Sequence, residues 1–465
     1  MSTDRSAVIW TRLHNIPRKM GQLYVTDKEC RFTYDADYLN LDQPGLGLVY
    51  DPAYFGLNTI SRKRSEKFNL LPPVQSLIPP LQEDNFQRNL ALKYLNSIGK
   101  TGLSGFDADW EILKVSGRGG IGHLDLFEDD EKAEHWYNNP PVHQLHEVTD
   151  EFGFSLKEFM AWFEDDIEVL IQTVGPTPSV GGAIPKLLVS IPETGWDGRI
   201  GAPTRQSTVG VTDVILKFEQ TNRYPGITEL ESMALDMYRN AGFDVPRHWI
   251  CHFKGMPALA IERFDRDASR APVFTETLYS IFASGLPNMV SHYDYTYDNI
   301  AKAINVSPVR IVNDATEGKE HLFRCVIMSL ITGNGDLHLE NLSILIDSDN
   351  VRRFTPIYDP TPMRAYSQHD MISVMPFGDY GDIVDGYDKP IGLTEAVHRF
   401  SAHCGIRKKQ FNAIVSELLD KTADYESMIN QLQTVPDANK ERLIKRIADA
   451  RKHLGVMLDG EKPQR

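Results

Sequence analysis

Cysteine is scarce: the 465-residue chain has four, at positions 30, 251, 325 and 404. They are widely spaced and form no CxxC pair. Neither a disulfide framework nor a zinc knuckle is expected, and a reducing compartment fits best. The 14 histidines include no HExxH. His135, His143 and His146 gather around the loop Asn138–Pro141, where either a metal or an exposed polar loop is expected. No apolar run approaches the ~20 residues of a membrane-spanning helix. The start, Met1–Ser6, leads into no apolar signal-peptide core. A cytoplasmic protein without membrane contact is therefore expected. Excess positive charge is missing too: 49 Lys and Arg against 64 Asp and Glu leave a net charge of −15. That balance lacks the overall basic footprint of a nucleic-acid binder. A short basic run, Arg62, Lys63, Arg64 and Lys67, is either a local phosphate contact or a solvated loop. Internal repeats and long low-complexity stretches are also absent.

What is present is an ordinary globular composition, 41% hydrophobic and 24% charged, on a chain long enough for two or three domains or subdomains. The start reads as strands, with Val8–Trp10, Gln22–Val25 and Arg31–Tyr34 as short β-prone runs and Asp27-Lys28 at a hairpin turn. The segments Asp84–Ile98 and Phe154–Ile171 read as helices. Leu187–Ile191, Val211–Phe218 and Leu259–Glu262 are strand-like. Thr228–Ala241 has a helical period and is followed by Gly242 as a C-cap and by Pro246. After about residue 270 the chain reads mainly helical. Leu322–Thr332 is apolar nearly all round, and Thr394–Leu458 is amphipathic and broken near Pro436.

The chemistry concentrates in Gly333-Asn334-Gly335-Asp336-Leu337-His338-Leu339-Glu340-Asn341. An Asp followed five positions later by Asn has the spacing of a kinase catalytic loop. The Asp accepts the proton of an attacking hydroxyl, and the Asn reaches a phosphate-bound metal from the same side of the loop. Farther on, Tyr358-Asp359 follows the strand-like Phe354–Ile357 and supplies a carboxylate for Mg²⁺. Taken alone, each of these residues reads as well as a turn residue. Lys217 ends the β-branched run Val214–Lys217, as does a phosphate-binding kinase lysine. Glu231 in the next helix could pair with it, with Glu229 as the alternative. Ahead of that strand lies Ser179-Val180-Gly181-Gly182-Ala183-Ile184-Pro185-Lys186, where two glycines let backbone N–H groups approach phosphate oxygens. It is not a Walker A motif. The denser glycine cluster Gly117–Gly122 has no clear strand–helix frame and is not assigned to phosphate.

Four blocks carry a resemblance to the HipA family of bacterial toxin kinases. They are Ser179–Lys186, Ala260-Ile261-Glu262-Arg263-Phe264-Asp265-Arg266, Gly333–Ile344 and Thr355–Asp359. The resemblance implies an α/β (α+β), two-lobed protein-kinase-like fold with a β-rich N-terminal lobe and an all-helical C-terminal lobe. Residues 1–150 would be the small N-terminal subdomain, 151–268 the rest of that lobe, and 269–465 the helical lobe with the catalytic loop. The implied cofactors are ATP and Mg²⁺. Gly181, Gly182, Ala183, Ile184, Pro185 and Lys186 would cover the phosphates and Lys217 would contact them. Ile184 stands where the family often has Gln. Glu262, Arg263 and Phe264 would form the hinge at adenine, with Asp265 at the ribose. Asp336 would be the base, and Asn341 and Asp359 the metal ligands. His338, Leu339, Glu340 and Tyr358 would complete the nucleotide site. Ser179 matches a serine that relatives autophosphorylate, which silences the kinase. A HipB-like helix-turn-helix antitoxin is the implied partner, and DNA is met only through it. The family precedent for substrate is glutamyl-tRNA synthetase, an aminoacyl-tRNA synthetase. The catalytic loop also resembles that of aminoglycoside and choline phosphotransferases, so a small-molecule kinase is the alternative. A non-catalytic corepressor is a third reading, opposed by the intact Lys217, Asp336, Asn341 and Asp359.

Overall fold

The computed structural model describes residues 4–81, 85–140, 142–148, 184–306, 309–384, 386 and 388–459. The expected helix at 154–171 lies outside them, as do Ser179, Gly181, Gly182 and Ala183. Two compact units are present. One comprises Met1–Gln220, Arg247–Asn288 and Leu345–Asn350; the other comprises Thr221–Pro246, Met289–Ile344 and Val351–Arg465. The units are therefore not contiguous in sequence. The helix Ile227–Asn240 belongs with the second.

The first unit opens with an antiparallel sheet of β1 (Arg5–Thr11), β2 (Arg18–Val25), β3 (Glu29–Tyr34), β4 (Ile60–Lys63) and β5 (Asp125–Phe127). Its order is β4-β3-β2-β1-β5. β3 shows why: Cys30, Phe32 and Tyr34 are buried while Arg31 points outward, the period of two that a half-buried strand requires. At Gly21 a Cβ would lie 2.2 Å from the Thr33 carbonyl oxygen, so only glycine admits the neighbouring strand there. The hairpin turn at Asp27-Lys28 falls between β2 and β3 as read from sequence. The arginines of the basic run are used internally. Arg62 donates to the Ala283 carbonyl at 2.6 Å and lies over Phe68. Arg64 donates to Asn69 and to the Thr26 carbonyl and lies over Phe106.

A second sheet in this unit comprises β6 (Lys186–Pro192), β7 (Val211–Phe218), β8 (His248–Phe253) and β9 (Met256–Glu262), in the order β8-β9-β7-β6. One face, with Leu187, Val189, Val214, Leu216 and Ala260, packs into a core shared with Phe86 and Leu90 of the helix Phe86–Ser97. The other face is considered below, because it carries two lysines.

Glu276 is buried in this unit. It accepts the Leu48 N–H at 2.7 Å and the Ser280 hydroxyl at 2.6 Å. Burial pushes its carboxyl up to about 7, against the pull of those two donors. The folded state thus keeps this proton at a pH where the unfolded chain has lost it, and stability falls as pH rises from the ordinary carboxyl range to about 7. Glu276→Gln should remove that decline. In a pH series of thermal melts, its advantage over the wild type should grow from about pH 4.5 to 7 and then level off. The gain should be on the order of 3 kcal/mol, from ~1.4 kcal/mol per pH unit. Parallel pH profiles would refute this.

The second unit is mainly helical. Ile227–Asn240 is amphipathic and ends before Gly242, at φ 87°, as expected. Ala315–Thr332 is capped by Asp314, whose carboxylate accepts the N–H groups of Thr316 and Glu317. Its Leu322–Thr332 portion is almost wholly buried. The C-terminal region forms Leu393–His403, Lys408–Lys421, Tyr425–Gln431 and Asp437–Asp459, with the expected break at Pro436. The C-terminal region is not all-helical, however. Two strands, Ser343–Ile346 and Arg352–Phe354, interrupt it, because the buried Ile344-Leu345-Ile346 run favours extended backbone and Asn350 turns the chain at φ 59°. No helix among the described residues is long and apolar enough to cross a membrane.

Candidate active site

In the second unit the catalytic-loop segment begins where Ala315–Thr332 ends. Gly333 caps that helix at φ 74°, and a Cβ there would lie 2.4 Å from Leu443. The loop is held by its own backbone. The Asp336 N–H donates to Asn334 Oδ1 at 3.0 Å, and the Asp336 carbonyl accepts the His338 N–H at 2.9 Å. Asn341 closes the turn: its Nδ2 donates to the Asp336 carbonyl at 2.7 Å and its N–H to the His338 carbonyl at 2.9 Å. The five-residue spacing thus has a direct cause, since it lets the Asn amide tie down the Asp backbone. The Asp336 side chain is 31% exposed, with Oδ1 3.6 Å from His338 Nε2. The Tyr297 hydroxyl donates to the Leu337 carbonyl and secures the loop from beneath.

Asp359 joins this assembly through its neighbour. The Tyr358 hydroxyl donates to the Glu340 carbonyl at 2.6 Å and pairs with Ser343 Oγ at 2.6 Å. The backbone beside Asn341 and that beside Asp359 are therefore fastened together. Asp359 itself has φ 54°, a conformation uncommon outside glycine and concentrated at functional sites. Thr361 Oγ1 donates to its Oδ1 at 3.3 Å. An Asn amide oxygen and an Asp carboxylate are hard oxygen donors, the kind Mg²⁺ takes. Glu229 is spoken for in this unit, accepting the N–H groups of Gln433 and Thr434 and the Thr434 hydroxyl. Glu231 is 1% exposed within its helix.

In the first unit, Lys186 and Lys217 are direct partners across β6 and β7, both buried and on the sheet face opposite the apolar core. Leu259 is the other partner of Lys217. Like charges placed opposite each other repel. Ile184 and Pro185 lead into β6, and the Pro185 carbonyl accepts the Phe218 N–H.

The 262–266 segment follows β9. Glu262 is paired with Arg247, and its N–H donates to the Arg247 carbonyl; the Arg263 N–H donates to the Asp213 carbonyl. Asp265 was expected at the ribose, but its carboxylate is turned inward. It accepts Arg263 Nε at 2.9 Å, Arg263 Nη2, Arg266 Nη1 and the Gly122 N–H, each at 2.8 Å. Burial alone would raise this carboxyl, but Arg263 and Arg266 reverse the effect and hold it at about 2. Arg263 and Arg266 also donate to the Gly119 and Gly120 carbonyls. The glycine cluster left unassigned in the sequence is thus the cradle of this motif. Its positive φ values, 69° at Gly119 and 82° at Gly122, are what the cradle needs.

The three histidines near residue 140 do not form a metal group among the described residues; His143 Nε2 instead bonds Ser190 Oγ at 2.7 Å. The cysteines are all buried, and burial lifts each thiol to about 12, so none is poised as a nucleophile. Sequence reasoning missed His292, whose Nδ1 lies 3.4 Å from Glu340 Oε2. No local spacing pointed to it.

The model of the HipA-like C-terminal domain matches residues 178–426. A Haemophilus influenzae protein named "Putative kinase" is 25% identical over 320 residues, which cover 62% of this chain and 83% of that protein. A Sinorhizobium fredii protein, "Putative kinase Y4mE", is 26% identical over 211 residues, 43% of this chain and 47% of its own. Among solved structures, a chain of the Shewanella oneidensis MR-1 toxin–antitoxin complex of HipA, HipB and operator DNA matches with a TM-score of 0.58. The match covers 97% of this chain and 99% of that one at 16% identity, a likeness of fold.

Proposed function

The chain belongs to the HipA-like C-terminal domain family, and on that premise we propose that it is an ATP- and Mg²⁺-dependent serine/threonine-protein kinase of the toxin type. The observation that carries this reading is the closed Asp336–Asn341 turn, tied through Tyr358 to Asp359. Asp336 acts as general base, taking the proton of the acceptor hydroxyl at its exposed carboxylate. Asn341 and Asp359 hold Mg²⁺, which neutralises phosphate charge when bound. Lys217 and Lys186 receive the phosphates, together with the loop from Gly181 to Pro185. Glu262 to Phe264 meet the adenine. Asp265 acts by bracing that segment through Arg263 and Arg266, not by touching the ribose. His338, Leu339 and Glu340 also serve nucleotide binding.

The fold shared with a HipA chain solved with HipB and operator DNA supports an antitoxin of the HipB type as partner. DNA would then be met through that partner. The substrate is a protein hydroxyl, with an aminoacyl-tRNA synthetase as family precedent, and Ser179 is the self-modification site. A cytoplasmic location accords with these roles.

Asp359→Ala tests the reading at its metal. In calorimetric titrations, Mg²⁺ should tighten ATP binding to the wild type and leave binding to the folded variant unchanged. An equal Mg²⁺ effect in both proteins would remove Asp359 from the site.

A further inference from the structure

We propose that His292, His338 and Glu340 form a binding site for one zinc-class transition-metal ion, and that filling it rearranges the catalytic loop and inhibits transfer. The inhibitory half rests on the kinase reading; the metal site does not. One ligand atom from each residue lies within 4.8 Å of the others. His292 Nδ1 and Glu340 Oε2 are 3.4 Å apart, too long for a good hydrogen bond. It matches the edge between two ligands that each stand ~2.0–2.2 Å from a tetrahedral ion, about 3.3–3.5 Å. The His292 and His338 rings are 4.3 Å apart, and the Tyr293 ring lies against both, at 4.1 and 5.3 Å, which limits their rotation. The His292 carbonyl accepts the Leu339 N–H at 3.3 Å, so the backbone keeps His292 beside the loop.

The donor set selects the metal. Two imidazoles and a carboxylate suit Zn²⁺ and leave a fourth position for water. Mg²⁺ prefers all-oxygen octahedral sites, so the site differs in kind from Asn341 and Asp359.

Coupling to the loop follows from one hydrogen bond. His338 Nδ1 accepts the Glu340 N–H at 3.2 Å. Ligation through Nδ1 displaces that N–H. Ligation through Nε2 places a proton on Nδ1, facing the same N–H. Either way the 338–340 turn must change, and the Asn341 N–H is bonded to the His338 carbonyl within it. The displacement therefore reaches Asn341, and through its amide the Asp336 backbone.

The test uses the full chain, stripped with chelator and dialysed. Co²⁺ titration should give one equivalent with the absorption of a four-coordinate ion. Zn²⁺ should displace it, and excess Mg²⁺ should not. His292→Asn should weaken Zn²⁺ binding, read by competition with a chromophoric chelator, by at least ~10-fold, the lower scale for losing even an outer-shell partner. Absence of stoichiometric binding to the wild type would overturn the site without reference to any variant. So would equal affinity in a folded His292→Asn protein. In excess Mg²⁺-ATP, Zn²⁺ should inhibit the wild type and spare His292→Asn; equal inhibition would refute the coupling. Metal binding with no basal transfer in the wild type would refute the kinase reading and leave the site standing.

Discussion

Asp336→Ala is expected to lower phosphoryl transfer by about 10²–10⁴-fold, the usual contribution of a general base, with no change in thermal unfolding. The carboxylate's ion pair to His338, with Oδ1 3.6 Å from Nε2, is too long to be the loop's main tie. Closure of the loop runs through the Asp336 backbone: the N–H to Asn334, and the carbonyl to His338 and Asn341. Alanine keeps all of these. With 31% of the side chain exposed, truncation also leaves no closed cavity. Transfer should be followed by mass spectrometry of protein expressed alone. Phosphate should appear on Ser179 of the wild type and be missing from Asp336→Ala. Wild-type rates in the folded variant would dismiss Asp336 as the base. Transfer to an aminoglycoside or choline hydroxyl, and none to protein, would favour the small-molecule alternative.

Asp265→Ala should be strongly destabilising, costing about 3–5 kcal/mol. The carboxylate is 2% exposed and accepts from two guanidinium groups and a backbone N–H. Removing it leaves Arg263 and Arg266, with side chains only 1% and 6% exposed, repelling each other without their shared counter-charge. Burial, followed by the charge of Arg263, already depresses the Arg266 guanidinium to about 10. The melting temperature should fall by on the order of 10 °C. The sign with pH is also fixed. Because the folded carboxyl titrates at about 2, below its ordinary 3.8, the stability it supplies is present above that ordinary value and lost as pH falls towards 2. The wild-type advantage over the variant should therefore shrink in acid. A variant that melts with the wild type, with Asp265 shown to contact bound ribose, would restore the nucleotide role for this residue.

The sequence alone determined what lies within a few residues along the chain. Strands β1 to β3 follow from their β-prone runs, and the 227–240 helix from its period and its glycine stop. The Asp336–Asn341 turn was legible because both ends of its closing hydrogen bond lie five residues apart. Only the tertiary structure decided what depends on residues far apart. Asp265 reads as a ligand in its motif, but Gly119–Gly122, some 140 positions upstream, fold over it and make it a buried counter-ion. The same holds for Glu276, raised to about 7 by its burial, against the pull of the Ser280 hydroxyl and of the Leu48 N–H, which comes from a segment some 230 positions upstream. His292 carries no local signal, since its partners His338 and Glu340 belong to a loop that another helix delivers. Local pattern is fixed by the geometry of one short stretch of backbone. Burial and charge pairing are properties of the folded neighbourhood, and there a carboxylate becomes a ligand or a strut according to what closes around it.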